Sequence, residues 1–192
     1  MDRVIACAVP EGSLLAGFGA PGDYRDCFCR VVAGAVDLGT LIERFYLSAA
    51  FRPERLVLGL LGRTASGDQA RALARGEADR FGVWEVVERR DLSRSSSGCE
   101  AHPKAEPVAQ TRSEILLHSK GTGTASWLAV EPLTVSSTKP SSSSGCEAQP
   151  KAEPIGRTRM YFGSWVGTVG QTGWRFMLRP HQLYSRMLLG AV

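Results

Sequence analysis

The pattern of residues near the start of the chain predicts a β-strand. In DYRDCFCRVVAG, residues 23–34, one set of side chains alternates with another, and Gly34 closes the segment; the sets are Tyr24, Asp26 and Phe28, and Arg25, Cys27 and Cys29. Successive side chains of a strand point to opposite faces of a sheet. Cys27 and Cys29 therefore share one face of the predicted strand.

The residues that follow have the spacing of helices. Asp37 is a suitable N-cap, and apolar residues recur at helical intervals from Leu38 to Tyr46. Pro53 suits the first position of a second helix, which Gly62 can end. A third short helix or turn is predicted over residues 67–76. The first half of the chain thus predicts one strand followed by helices.

From residue 81 onward the apolar pattern becomes that of strands. FGVWEVVERR is rich in β-branched and aromatic residues. SEILLHSKGTGTASWLAVEPL contains two apolar runs joined by a glycine-rich turn at residues 120–124, which predicts a hairpin. MYFGSWVGTV predicts one more strand. These segments give four successive strands.

The last residues predict a terminal helix that Pro180 can open. Its apolar stripe comprises Leu183, Met187, Leu188 and Ala191. The complete order is typical of an α+β protein, with a curved antiparallel sheet of about five strands packed by the helices of the N-terminal half and by the C-terminal helix. A length of 192 residues suits a single domain over residues 1–192.

Two nearly identical segments interrupt this pattern. SSSGCEAHPKAEPVAQTR (95–112) recurs as SSSGCEAQPKAEPIGRTR (142–159) with four differences. Both are rich in Ser and Pro and poor in large apolar residues, so they cannot bury enough surface to offset the entropy of ordering. We interpret residues 93–112 and 136–159 as loop insertions in hairpin turns. In an antiparallel meander both insertions would leave the sheet at the same end, about 10 Å apart.

Composition narrows the class of protein. A net charge of +4 and a pI of about 8.9 are too modest for a nucleic-acid-binding signature, and no apolar run reaches the length of a membrane helix. The beginning of the chain has an acidic residue at position 2 and a proline at position 10, which predicts no signal peptide and hence a cytoplasmic location. Five cysteines without a framework spacing are predicted to be reduced thiols.

Neither a metal nor a cofactor is predicted. Cys99 and His102 have the spacing of half a metal site, but the second repeat pairs Cys146 with Gln149 instead of a histidine. Cys27 and Cys29 have no accompanying pair and are interpreted as small buried core thiols. The glycine-rich stretches lack the strand–helix context of a phosphate-binding loop.

Aromatic residues give the strongest indication of a site. The strands around Trp127 and Tyr161 carry apolar residues on both faces, whereas a one-sided sheet would alternate more cleanly. The second face is therefore either covered or lines an apolar cavity between the sheet and the terminal helix; a solid core is the alternative. The residues predicted to line such a cavity are Trp84, Trp127, Tyr161, Trp165, His181 and Tyr184.

Several motifs resemble a bacterial family of small proteins, domain-of-unknown-function family 2867. The motifs are DYRDCF, FGVWEVVERRD, SEILLHSKGTGTASWLAVEP, MYFGSWV and RPHQLYSRMLLGA, and they span most of the chain from about Asp23 onward, outside both repeats. The family looks related to the helix-grip proteins, the START-like domains and polyketide cyclases, which wrap an antiparallel sheet around a long C-terminal helix and often enclose an apolar ligand. Compared with those proteins, this chain has fewer apparent strands and a very short predicted terminal helix. The family implies no catalytic residues.

Three hypotheses on function follow. The first is binding of a hydrophobic small molecule between the sheet and the C-terminal helix, with His181 as a polar anchor. The second is a protein-interaction module in which the paired Pro/Lys/Glu loops bind a protein partner bivalently. The third is a cyclase- or dehydratase-like enzyme that uses His181 and Tyr184 as an acid–base pair.

Overall fold

A computed structural model describes residues 3–60, 62, 65–92, 112–133, 156–167 and 174–192, with the side chains of 174–178 left out. Its strands are β1 (Ile5–Ala6), β2 (Tyr24–Ala33), β3 (Arg80–Phe81), β4 (Trp84–Arg90), β5 (Ser113–Ser119), β6 (Thr124–Leu133) and β7 (Arg157–Val166). Its α-helices are α1 (Leu14–Gly17), α2 (Leu38–Leu47), α3 (Arg52–Leu60), α4 (Gly67–Arg75) and α5 (Trp174–Gly190), and a 3-10 turn over Ala49–Phe51 precedes α3.

The strands form one antiparallel sheet in the order β1-β2-β7-β6-β5-β4-β3. The predicted α+β class with an antiparallel sheet is confirmed. The observed order differs from the predicted order of strand, helices, four strands and helix, because β1 and α1 precede β2 and because β3 precedes β4. The predicted count of about five strands was too low, because the sheet has seven. The two additions, β1 and β3, have only two residues each, and so short a segment shows no alternation in the sequence.

Capping residues fix the start of α2 and both ends of α4. Asp37 accepts a 2.8 Å hydrogen bond from the backbone N–H of Thr40, which also holds the pKa of its carboxyl below the usual value. Ser66 plays the same role for α4, and Gly76 ends that helix in the left-handed conformation at φ 74°. The apolar stripe of α2 is buried against the sheet as predicted.

The C-terminal helix differs from its prediction in start and orientation. It begins at Trp174, so Pro180 lies inside it rather than at its first position. Leu183 is 71% exposed and Met187 is 51% exposed, whereas Leu188 is buried. The predicted apolar stripe is therefore wrong at Leu183 and Met187. The predicted helix start is also wrong, because the helix continues through Pro180 although proline has no N–H to donate.

The two faces of the sheet carry separate cores. On one face α2, α4 and α5 pack over a large cluster that includes Phe28, Leu128 and Phe162. On the other face α1 packs its leucines over a smaller cluster that includes Trp127 and Tyr161. Both faces are thus covered, which explains why the late strands show apolar residues on both sides.

The connections that contain the repeats join β4 to β5 and β6 to β7. Arg90 pairs with Glu114, and Leu133 pairs with Arg157, so both connections leave the sheet at the same end. Since β7 begins at Arg157, the last three residues of the second predicted insertion are strand residues. Residues 93–111 and 134–155 lie outside the described residues. Binding of a protein partner by these segments therefore stays a prediction.

Candidate functional site

A pocket of about 310 Å³ lies between the sheet and α5. It is located at the end of the sheet that carries the β5–β6 turn, opposite the end from which the repeats depart. Its wall combines aromatic and polar side chains. The lining residues are Phe45, Tyr46, Phe51, Glu54, Trp84, Thr122, Thr124, Ala125, Ser126, Phe162, Ser164, Trp165, Val166, His181, Tyr184, Ser185 and Leu188.

An aromatic cluster forms the apolar wall of the pocket. The rings of Phe45 and Phe162 lie 4.8 Å apart, which joins α2 to β7. The rings of Tyr46 and Phe51 meet edge to face at 5.1 Å, and Phe51 lies 6.4 Å from Trp84. Such contacts between aromatic rings add stability beyond the area that they bury. This wall is therefore a preformed surface for an apolar group.

A histidine–carboxylate pair forms a second wall. His181 Nε2 lies 3.5 Å from Asp26 Oδ2, and the Asp26 side chain is only 8% exposed. The backbone N–H of Ser164 donates to Asp26 Oδ1 at 3.1 Å, and the hydroxyl of Tyr24 donates to Oδ2 at 3.1 Å. Burial raises the pKa of Asp26, and the nearby His181 opposes this effect. Asp26 thus orients the histidine from behind the pocket surface.

A tyrosine–glutamate pair bridges α5 and α3 at the opposite wall. The hydroxyl of Tyr184 donates a 2.7 Å hydrogen bond to Glu54 Oε2. Burial raises the pKa of Glu54 and also that of Tyr184, whose ionisation the adjacent carboxylate disfavours further. Tyr184 therefore stays a hydrogen-bond donor, and Glu54 is a carboxyl group that protonates more readily than one in water.

Replacing Glu54 by glutamine is expected to raise the free energy of unfolding at neutral pH. The variant removes the desolvation cost of a buried charge while its amide oxygen can still accept from Tyr184. The pKa of Glu54 is raised in the fold. The free energy of unfolding of the wild type therefore falls as the pH rises from about 4.3 through that raised pKa. The variant has no carboxyl group at this position, so its free energy of unfolding should not fall for this reason. Urea unfolding at several pH values measures the difference.

Glu43→Gln is the matched control for this experiment. Glu43 is on the surface, with its side chain 45% exposed beside Arg71, and its replacement should change stability little at any pH. If Glu54→Gln and wild type showed the same dependence of stability on pH, the effect of burial on Glu54 would be refuted.

Four of the six residues predicted to form the site border this pocket. They are Trp84, Trp165, His181 and Tyr184. The indole of Trp165, however, packs against Phe18 and His118 on the other face of the sheet, and its Nε1 donates to Asp23 at 2.9 Å. Trp84, His181 and Tyr184 lie on the side of the sheet where the helices pack.

Trp127 and Tyr161 do not border the pocket, so their prediction as lining residues is corrected. Both are buried on the face covered by α1, where their rings lie 5.7 Å apart. Trp127 Nε1 donates to Glu114 at 2.8 Å, and the Tyr161 hydroxyl donates to Glu131 at 2.7 Å. Since both faces of these strands are apolar, the sequence did not show which face held the cavity.

Sequence reasoning missed the contribution of α2 and α3 to the pocket. Phe45 and Tyr46 were recognised only as core residues of an amphipathic helix, and Glu54 only as part of a helix start. Asp26 had a visible signal, because an acidic residue occupies the same strand face as Phe28. That face is buried against the helices, where a carboxyl group needs partners.

Among the residues that the structure describes, no group of three His, Cys, Asp or Glu side chains is arranged to hold a metal ion. Cys99, His102 and Cys146 lie outside those residues. Within the described helices, none combines the length and apolar character needed to cross a membrane. The cytoplasmic location inferred from the sequence stays a prediction.

Comparison of the chain with known families, proteins and structures found no match. No protein-family model matches the chain, and no curated protein or solved structure matches it either. The resemblance to family 2867 therefore stays a prediction that depends on short motifs.

Proposed function

We propose that the protein binds an apolar small molecule in the pocket between the sheet and α5, in an arrangement of the helix-grip type. The observation that carries the proposal is a pocket of about 310 Å³ whose lining combines aromatic rings with the polar side chains of Glu54, His181 and Tyr184. Ligand pockets commonly combine an apolar lining with a few convergent polar groups that orient the ligand.

The topology supports the helix-grip arrangement. β2 precedes the helices, and the remaining strands return as a meander whose last member, β7, pairs with β2. α5 then spans 17 residues and turns His181, Tyr184, Ser185 and Leu188 toward the pocket. These positions recur at three- and four-residue intervals and share one side of the helix. The sheet and the last helix thus close on the same space.

The volume restricts the class of ligand. Pockets for drug-sized molecules range from about 300 to 1,000 Å³, so this pocket lies at the lower limit. A compact molecule with one or two rings suits the aromatic wall. Its polar group would meet the Tyr184 hydroxyl or the His181 imidazole, both of which border the space.

Filling the pocket should abolish binding. Ser126 is partly exposed and lines the pocket from β6, so Ser126→Phe places a ring in the ligand's space. We expect native mass spectrometry of the purified protein to detect a co-purifying small molecule in wild type and not in this variant. For any molecule identified, titration of tryptophan fluorescence should show a loss of affinity of at least tenfold.

Val87→Phe provides the matched control, because it adds the same ring to the same sheet. Val87 is 49% exposed on β4 and does not line the pocket, so this variant should bind as wild type does. Equal binding by wild type and a folded Ser126→Phe variant would refute the pocket as the binding site.

The Asp26–His181 contact favours acid–base catalysis as a second candidate function. A carboxylate behind an imidazole fixes the orientation of the ring. Tyr184 offers a hydroxyl on the same helix face as His181, three residues later. A cyclase- or dehydratase-like reaction could use the pair to move a proton on a bound ligand.

The test of this second candidate uses the ligand that mass spectrometry identifies. We expect wild type to convert it and His181→Ala to retain binding with turnover reduced by a factor of about 10² or more. Binding without turnover in wild type would leave the protein a ligand carrier and would exclude catalysis of that ligand.

A further inference from the structure

Three cysteines lie together near the edge of the sheet, on the face opposite the proposed ligand pocket. Cys27 and Cys29 share one face of β2, and Cys7 follows β1. The pairing of Ala6 with Phe28 continues to Cys7, whose N–H donates to the Cys27 carbonyl oxygen at 3.0 Å. The two sulfur atoms of Cys7 and Cys27 are 3.4 Å apart. The sheet register therefore sets two thiols directly against each other.

The two thiols differ in their access to solvent. Cys27 is 3% exposed, whereas Cys7 is partly exposed and lines an open groove of about 580 Å³. Three arginines line the same groove, namely Arg3, Arg30 and Arg159. A small reactant can thus reach Cys7 through a positively charged entrance, while Cys27 lies behind it.

The surroundings of Cys7 favour its thiolate. Its pKa is lowered to about 7, first by the hydrogen bond with Cys27 and then by Cys29 and Arg159, with burial acting in the opposite direction. The pKa of Cys27 is raised by the same contact with Cys7 and by burial, and that of Cys29 is raised to about 11. The charged groups that shift these pKa values are Asp26, Glu131 and Arg159, and Arg3 and Arg30 also line the groove. The cluster therefore combines one nucleophilic thiolate, at Cys7, with two protonated thiols, at Cys27 and Cys29.

We propose that Cys7 and Cys27 form a redox-reactive dithiol, in which Cys7 attacks a hydroperoxide and Cys27 resolves the product as a disulfide. The Cys7 thiolate attacks one peroxide oxygen, the O–O bond breaks, and the departing oxygen leaves as water or alcohol after taking up a proton. Cys7 becomes a sulfenic acid. The Cys27 sulfur then attacks the Cys7 sulfur, and the sulfenic oxygen leaves as water. The reaction oxidises two thiols to one disulfide and reduces one hydroperoxide.

Strand geometry is compatible with the disulfide. Directly opposed residues of an antiparallel pair that share backbone hydrogen bonds have Cα atoms about 5.5 Å apart. Disulfides span Cα separations of about 4.4–6.8 Å. The sulfurs need to approach from 3.4 Å to about 2.05 Å. β1 is a two-residue strand at the edge of the sheet, so this adjustment disturbs little of the core.

The test exposes the reduced full chain to equimolar hydrogen peroxide. We expect intact mass to fall by two hydrogen atoms and peptide mapping to identify a Cys7–Cys27 bond. Cys27→Ser should stop at a Cys7 sulfenic acid, which dimedone traps. Cys29→Ser is the matched control on the same strand face and should still form the bond. Cys99 and Cys146 serve as internal reference thiols, and their reaction should be slower by tenfold or more.

The pH dependence of alkylation tests the same site without any variant. Iodoacetamide labelling followed by peptide mass spectrometry measures the rate of alkylation of Cys7. This rate should reach half its maximum at about pH 7, whereas that of an ordinary cysteine does so at about pH 8.5. If Cys7 reacted with peroxide no faster than Cys99 and Cys146, or if the disulfide joined other cysteines, the proposal would be overturned.

Discussion

Replacement of Trp127 by alanine is expected to lower the free energy of unfolding by about 3–5 kcal/mol. Trp127 is completely buried in the core beneath α1, and its Nε1 donates to Glu114. The variant leaves a cavity and removes a donor from a buried carboxylate, which also accepts from the backbone N–H of Leu14 at 3.0 Å. Chemical denaturation monitored by circular dichroism measures the change.

Two further variants separate packing from hydrogen bonding. Trp127→Phe keeps most of the ring volume and loses the Nε1 donor, so its cost should be about 1–3 kcal/mol, the range for a buried polar group that loses a partner. Trp84→Ala truncates a tryptophan that is only partly buried at the pocket and should cost less than Trp127→Ala. Equal losses for the Trp84 and Trp127 alanine variants would contradict the assignment of Trp127 to the solid core.

Replacement of Gly163 by alanine should lower the free energy of unfolding by about 1–3 kcal/mol. Gly163 pairs with Cys27 on one side and Trp127 on the other. A Cβ there would lie 2.5 Å from a Leu15 methyl, 2.9 Å from the Asp26 carbonyl oxygen and 3.2 Å from the Trp127 ring. A backbone atom cannot turn aside as a side chain can, so the strands must separate locally.

Gly59→Ala is the control with the opposite expected sign. Gly59 lies inside α3, and a Cβ at this position would have no heavy atom within 4 Å, so alanine should stabilise the helix by about 0.5–1 kcal/mol. In a Leu15→Ala background the cost of Gly163→Ala should shrink without vanishing, since the contact with Asp26 remains. A cost unchanged by Leu15→Ala would show that the methyl contact does not matter.

Much of the fold was predictable because its signals are local. The N-cap at Asp37, the stripe of α2 and the turn before β6 each depend on a few neighbouring residues, and the structure has all three. The start of α5 was missed because proline is a common opening residue of helices. The edge strands β1 and β3 have two residues each, which is too short to show an alternating pattern, and the partners of β1 lie more than 20 residues away in the sequence.

The site was predictable only in part, because the late strands are apolar on both faces. Trp127 and Trp165 lie on strands whose two faces are both apolar, so composition could not show which face holds a space. α1 covers the second face with two leucines, Leu14 and Leu15, and a helix of four residues gives no periodic signal in the sequence. His181 and Tyr184 both border the pocket, because residues three apart in a helix share one face.

The strand ends that flank the two connections lie at one end of the sheet, and the pocket lies at the other. Arg90, Ser113, Leu133 and Arg157 mark the first end, whereas the pocket is near the β5–β6 turn. A change in the length of either connection is therefore expected to leave the residues that line the pocket unchanged. The two connections are thus suitable positions for tags, labels or deletions, because the length of the strands separates their attachment points from the pocket.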